Sequence, residues 1–119
     1  MKILYVEDSV DFRRCILQYL PELLPADTEF FVAENGKEAL DLFSGLKPDL
    51  VLTDYRMPLM TGEEMAQSLR NDGVIVPIIL MSGTPEDCQN TTLFNDILEK
   101  STSLKEIANR IINVVKKAA

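Results

Sequence analysis

Five short apolar runs recur along the chain, at Ile3–Val6, Glu29–Ala33, Leu50–Thr53, Ile78–Met81 and Ile97–Glu99. They are continuous rather than alternating, and most are rich in β-branched or aromatic residues, as expected of strands covered on both faces. Between them the pattern changes to a helical period. Ser9 can cap a helix with the stripe Phe12, Ile16 and Leu20, stopped near Pro21. Asn35 with Glu38 precedes Ala39, Leu40 and Phe43; Thr61 with Glu64 precedes Met65 and Leu69; Ser103 with Glu106 precedes Ile107, Ile111 and Val115. All three resemble capping boxes. Lys116 and Lys117 fall where the last helix presents its negative end.

One more helix is expected after Thr84-Pro85, a cap followed by a first-turn proline. The residues that follow, Cys88-Gln89-Asn90-Thr91-Thr92, have poor helix propensity and little apolar stripe, so this helix is expected to be short or mobile. A five-fold strand–helix alternation in 119 residues implies one α/β domain over residues 1–119. Its sheet is parallel and doubly wound, with helices on both faces in three layers and right-handed crossovers. Phe12 and Phe43 read as core, and Met57, Met60 and Met65 as packing residues.

Ligands in such folds bind beyond the carboxyl ends of the strands. Here the first strand exits into Glu7-Asp8, the third into Asp54, the fourth into Ser82-Gly83 and the fifth into Lys100. Three carboxylates at one sheet edge repel each other unless a cation sits among them or one stays protonated. Mg²⁺ suits such a place, because it uses few carboxylates, keeps waters and takes phosphate oxygens. A lysine and a hydroxyl opposite suit the remaining oxygens of a phosphoryl group, which is the apparatus of phosphoryl transfer.

Composition narrows the field. The formal net charge of −7 and sequence pI near 4.5 argue against direct binding to nucleic acid or to an anionic membrane surface. Without histidine the chain carries no imidazole base, no histidine zinc ligand and no phosphohistidine of its own. Cys15 and Cys88 are too few for a disulfide scaffold and read as ordinary helix residues. The apolar run at Ile3–Val6 is too short for an export signal, and Pro77 interrupts the longest run, from Val74 to Met81. The expected location is the cytoplasm.

The motifs resemble the receiver domain of two-component response regulators. The resemblance spans the whole chain: Ile3-Leu4-Tyr5-Val6-Glu7-Asp8, Glu34-Asn35-Gly36-Lys37-Glu38-Ala39-Leu40, Pro48-Asp49-Leu50-Val51-Leu52-Thr53-Asp54, Met57-Pro58, Gly62, Ser82-Gly83 and Lys100. It implies a flavodoxin-like fold with strand order 2-1-3-4-5. It further implies that Asp54 accepts a phosphoryl group from a histidine kinase or histidine phosphotransfer protein. Asp8, Asp54 and the backbone carbonyl of Arg56 would hold Mg²⁺, with Glu7 acting through water. Lys100 and Ser82 would take phosphoryl oxygens, helped by the Gly83 amide. The downstream partner would be an unknown protein or a fused output domain, reached through a surface around the fourth helix and fifth strand. Such a domain catalyses only its own phosphorylation and dephosphorylation.

Three features depart from the family pattern. Ser101 follows Lys100 where a proline in a cis bond is usual, so a trans bond is expected. Ile97 stands where an aromatic residue commonly swings inward on activation, and the stretch from Ser82 to Lys100 looks short. The chemistry is therefore expected to be intact and the output face altered. Tyr55 and Arg56 should line the pocket rim, and Arg56 and Thr84 match positions that influence phosphate loss in the family. Two other readings compete. One is a receiver-fold interaction module that ignores phosphorylation. The other is a Mg²⁺-dependent phosphatase, disfavoured because Arg56 stands where such enzymes place a second aspartate.

Overall fold

The structure is a computed structural model that describes all 119 residues. Five parallel strands, β1 (Lys2–Val6), β2 (Glu29–Ala33), β3 (Leu50–Thr53), β4 (Ile78–Ser82) and β5 (Asp96–Glu99), form one sheet in the order β2-β1-β3-β4-β5. Each expected strand is present, with boundaries moved by one residue at most. The order is the one implied by the resemblance. Four α-helices accompany the sheet: α1 (Val10–Tyr19), α2 (Gly36–Leu46), α3 (Gly62–Asn71) and α4 (Leu104–Ala118).

Alternation along each strand divides the core into two. Leu4, Val6, Val51, Ile78 and Leu80 face a cluster that includes Ala39 of α2 and Met65, Ala66 and Leu69 of α3. Ile3, Tyr5, Leu50, Leu52, Ile79, Met81 and Leu98 face Ile16 of α1 and Ile107, Ala108 and Ile111 of α4. Because both faces are covered, the central strands read as unbroken apolar runs. Phe12 and Phe43 are half-buried against opposite clusters, and Met57 and Met65 are buried in the first.

The helix starts follow the caps. Ser9, Asn35, Thr61 and Ser103 each accept the amide three residues ahead. Only Thr61 and Glu64 complete the reciprocal box; Glu106 pairs instead with Arg110 one turn on, at 3.3 Å.

The helix expected after Thr84-Pro85 does not form. Pro85–Asp87 and Thr91–Leu93 are single 3₁₀ turns, so the alternation is four-fold and the β4–β5 connection is non-helical. The reason is tertiary as well as local. Glu63 in the first turn of α3 accepts the amides of Gln89 and Asn90 at 2.8 and 2.9 Å. Two turns later Arg70 donates to the Leu93 carbonyl at 3.1 Å and the Asn95 side chain at 3.0 Å. A helix through this stretch would withdraw those backbone groups from α3.

Candidate functional site

The ladder of the sheet runs one residue past three strand ends. The Glu7 amide donates to Ala33, Asp54 to Val6 and Lys100 to Ser82, at 2.9–3.0 Å. Pleat alternation therefore continues, and these three side chains fall on the α1–α4 side, in step with Tyr5, Leu52 and Leu98. Ser82 falls on the other parity, with Ile78 and Leu80.

Glu7, Asp8 and Asp54 bring carboxylate oxygens to within 4.8 Å of one another. Glu7 is 1% exposed and Asp54 7%, whereas Asp8 is open to solvent. The Lys100 ammonium bridges the two buried acids, 3.0 Å from Glu7 Oε1 and 3.1 Å from Asp54 Oδ2. The other Asp54 oxygen accepts the Tyr55 amide at 2.7 Å. Glu7 also accepts the Ser9 amide at 3.2 Å, while Arg13 donates to its carbonyl at 2.8 Å. The oxygens are hard, closely gathered and open on the Asp8 side, which fits a small divalent cation retaining waters.

The site spans strands far apart in sequence, and its electrostatics follow from burial. Glu7 is pushed up to about 7, first by burial and then by the Asp54 charge, which together outweigh its contacts with Lys100 and Ser9. Burial works to lower Lys100, but the hydrogen bond and charge of Glu7, then those of Asp54, raise it. Tyr5 lies two residues before Glu7 on the same face, its buried hydroxyl without a partner. Burial, followed by the charges of Glu7 and Asp54, keeps it a neutral phenol.

Between about pH 4.5 and 7 folded Glu7 keeps a proton that the unfolded chain releases, so rising pH in this window destabilises the metal-free protein. Urea midpoints in EDTA should fall from pH 5 to pH 8, Glu7→Gln should flatten the fall, and Mg²⁺ should restore the midpoint at pH 8. A midpoint that climbs across this window in EDTA would contradict the assignment.

Ser82 is buried, its Oγ accepting the Thr84 amide at 3.0 Å, and it makes no hydrogen bond to the acidic cluster. Arg56 points into solvent and pairs with Asp87 of the β4–β5 connection. Hydrogen bonds from Thr84 and then from Arg56 lower the Asp87 carboxyl. Tyr55 is half-buried beside Asp54, and no peptide bond is cis, Lys100–Ser101 included. Sequence reasoning left out Arg13, Asp87 and the second role of Phe12, whose ring lies 4.5 Å from the Lys100 ammonium.

Residues 3–112 match the family model described as the response regulator receiver domain. The chain belongs to that family. The receiver is 35% identical over 121 residues to a probable transcriptional regulator, ycf27, of Porphyra purpurea, a match covering 98% of this chain and 48% of that protein. It is 32% identical over 120 residues to the sensor histidine kinase TmoS of Ectopseudomonas mendocina, covering 96% of this chain and 12% of that one. It thus spans about half or less of these relatives. Among solved structures, the response regulator TrrA of Thermotoga maritima, in complex with Mg²⁺-BeF, aligns at a TM-score of 0.84 with 28% identity. That alignment covers 95% of this receiver and 97% of TrrA. The sheet order, with helices packed on both faces, is that of the flavodoxin-like receiver fold. No helix is long and apolar enough to cross a membrane.

Proposed function

We propose that Asp54 is the phosphoacceptor of this receiver and takes its phosphoryl group from the phosphohistidine of a histidine kinase or phosphotransfer protein. The observation that carries this is the Lys100 ammonium bridging Glu7 and Asp54 where three carboxylates meet at the sheet edge. An Asp54 oxygen forms the new bond to phosphorus as the bond to imidazole nitrogen breaks, the electron pair leaving with that nitrogen. The Tyr55 amide orients the attacking carboxylate. Lys100 passes from a carboxylate to a phosphoryl oxygen, and the Ser82 hydroxyl, whose proton is free to donate, reaches another beside the Gly83 amide.

Asp8, Asp54 and the Arg56 carbonyl would hold Mg²⁺, with Glu7 reaching it through water. That ion supplies charge neutralisation for the transferring group. Residues 1–119 act as one receiver unit in the cytoplasm, binding neither nucleic acid nor membrane directly. The output is an altered β4–β5 face, read by a separate protein or a fused domain. A phosphorylation-independent module has no use for the buried Glu7–Asp54–Lys100 set and is not favoured.

Intact mass after treatment with acetyl phosphate and Mg²⁺ tests the reading. One hydroxylamine-labile phosphoryl adduct is expected on the parent chain, none on Asp54→Asn, and none in EDTA. An adduct that survives Asp54→Asn would move the acceptor elsewhere.

A further inference from the structure

We propose that Phe12 is the positioning residue for Lys100, its ring face holding the ammonium at the phosphoryl site by a cation–π contact. The proposal rests on the reading of Asp54 and Lys100 given above. Lys100 Nζ lies 4.5 Å from the Phe12 ring centroid while donating to Glu7 and Asp54. Its side chain is 23% exposed, so the contact is partly desolvated, the condition under which ring–cation attraction is largest.

Three features make the ring a brace and not a passing neighbour. First, its place is fixed by the helix start. The Phe12 amide donates to the Ser9 cap at 3.3 Å, and the ring packs on the cluster that holds Ile16 one turn later. Second, α1 covers the sheet face onto which pleat parity sends Glu7, Asp54 and Lys100. Third, the chain beyond the lysine offers no brace of its own, since Ser101 is exposed and Thr102 turns back to the Glu99 carbonyl at 3.0 Å.

The contact matters because the lysine must change partners. Its stem is flexible and its head is a strongly hydrated point charge. When the carboxylates turn to a metal or to phosphorus, the ion pairs that now hold it weaken. The ring has no proton to lose and no metal to bind, so it keeps the ammonium in place through that exchange. Leucine would fill the same space and lack the negative ring face.

The test uses the full chain with phenylalanine at position 12 replaced by its di- and trifluorinated analogues, alongside Phe12→Leu and Phe12→Tyr. Fluorination keeps the shape and drains the ring face. Labelling of Asp54 by acetyl phosphate with Mg²⁺ should slow stepwise along the fluorine series. It should slow by about 3- to 10-fold in Phe12→Leu and little in Phe12→Tyr. The Lys100 side-chain NMR resonances should move in the same order, with unfolding temperatures nearly level across the fluorine series. Rates and lysine resonances indifferent to fluorination would overturn the proposal and leave Phe12 as packing. If the parent takes no phosphoryl group, the reading of Asp54 fails, and the lysine resonances alone decide the contact. Movement with fluorination upholds it; constancy ends it.

Discussion

Gly62→Ala is expected to unfold at a much lower temperature than the parent receiver and to accept phosphoryl groups at Asp54 far more slowly. A Cβ at this position would lie 2.1 Å from the carbonyl oxygen of Asp54 and 3.1 Å from its carbonyl carbon. Those are backbone atoms in a strand exit, and the same oxygen already accepts the Thr53 hydroxyl at 2.9 Å. Neither side can give without displacing either the start of α3 or the acceptor itself. The Gly62 amide also donates to the Tyr55 carbonyl at 2.8 Å, which locks the two segments together. The helix-propensity gain from alanine, at most about 1 kcal/mol, does not compensate.

Forcing atoms into a packed site costs roughly 1–3 kcal/mol, and a clash with backbone belongs at about 3. At about 4 °C per kcal/mol for a chain of this size, Tm should drop by roughly 12 °C. A displacement of the acceptor by about 1 Å should slow labelling on the order of 100-fold. Gly36→Ala is the control. Its Cβ would meet only the Met60 side chain, at 3.0–3.1 Å, and a flexible thioether can move aside. Thermal unfolding and timed acetyl phosphate labelling of both variants check the contrast. Equal behaviour of Gly62→Ala and the parent would show that the approach of α3 does not constrain Asp54.

Much of this architecture is legible in local chemistry. The central strands are continuous apolar runs because each is buried on both faces, and the caps are short polar side chains that accept one orphan amide each. Glu7, Asp8, Asp54 and Lys100 can be found because a parallel sheet delivers its strand exits to one edge. The relations between distant segments are not legible in this way. Nothing near Cys88 announces that Glu63 claims the next two amides, and Arg56 and Asp87 meet only once the fold is made. Phe12 is read as core by period and packs half-buried against it, but a hydrophobic pattern does not reveal that its ring lies against an ammonium. The capping box at Ser103 is half formed for a related reason. An acid three residues into a helix has other partners available, and Glu106 takes Arg110.

The second large effect belongs to Arg70, whose replacement should loosen the end of the β4–β5 connection that leads into β5. Its guanidinium donates to the carbonyls of Val74, Val76 and Leu93 and to the Asn95 side chain, at 2.8–3.1 Å. Asn95 in turn accepts the Ile78 amide at 2.9 Å, so one side chain ties the end of α3 to the entries of β4 and β5. Partial burial lowers the Arg70 pKa, yet no carboxylate is paired with it, so the fold holds this charge with carbonyl dipoles alone. Hydrogen bonds from a charged group are each worth roughly 1.5–3 kcal/mol, and water replaces part of that where the site is open. Arg70→Met keeps the aliphatic stem and should cost about 3 kcal/mol. Arg70→Lys should recover little, because one ammonium cannot span three carbonyls in a plane.

The signature that separates this from a general loss of stability is local. Amide exchange should quicken first at Phe94 and Asn95, which donate within and beside the connection, before the strands respond. The Gln89 and Asn90 amides, held by Glu63 at the other end of the same helix face, should remain protected until Glu63 is changed as well. If exchange rose evenly along the chain, the connection would have no independent hold on α3. Independent opening at its two ends would mark it as the receiver's pliable element, with the Arg56–Asp87 pair coupling it to the loop beyond Asp54.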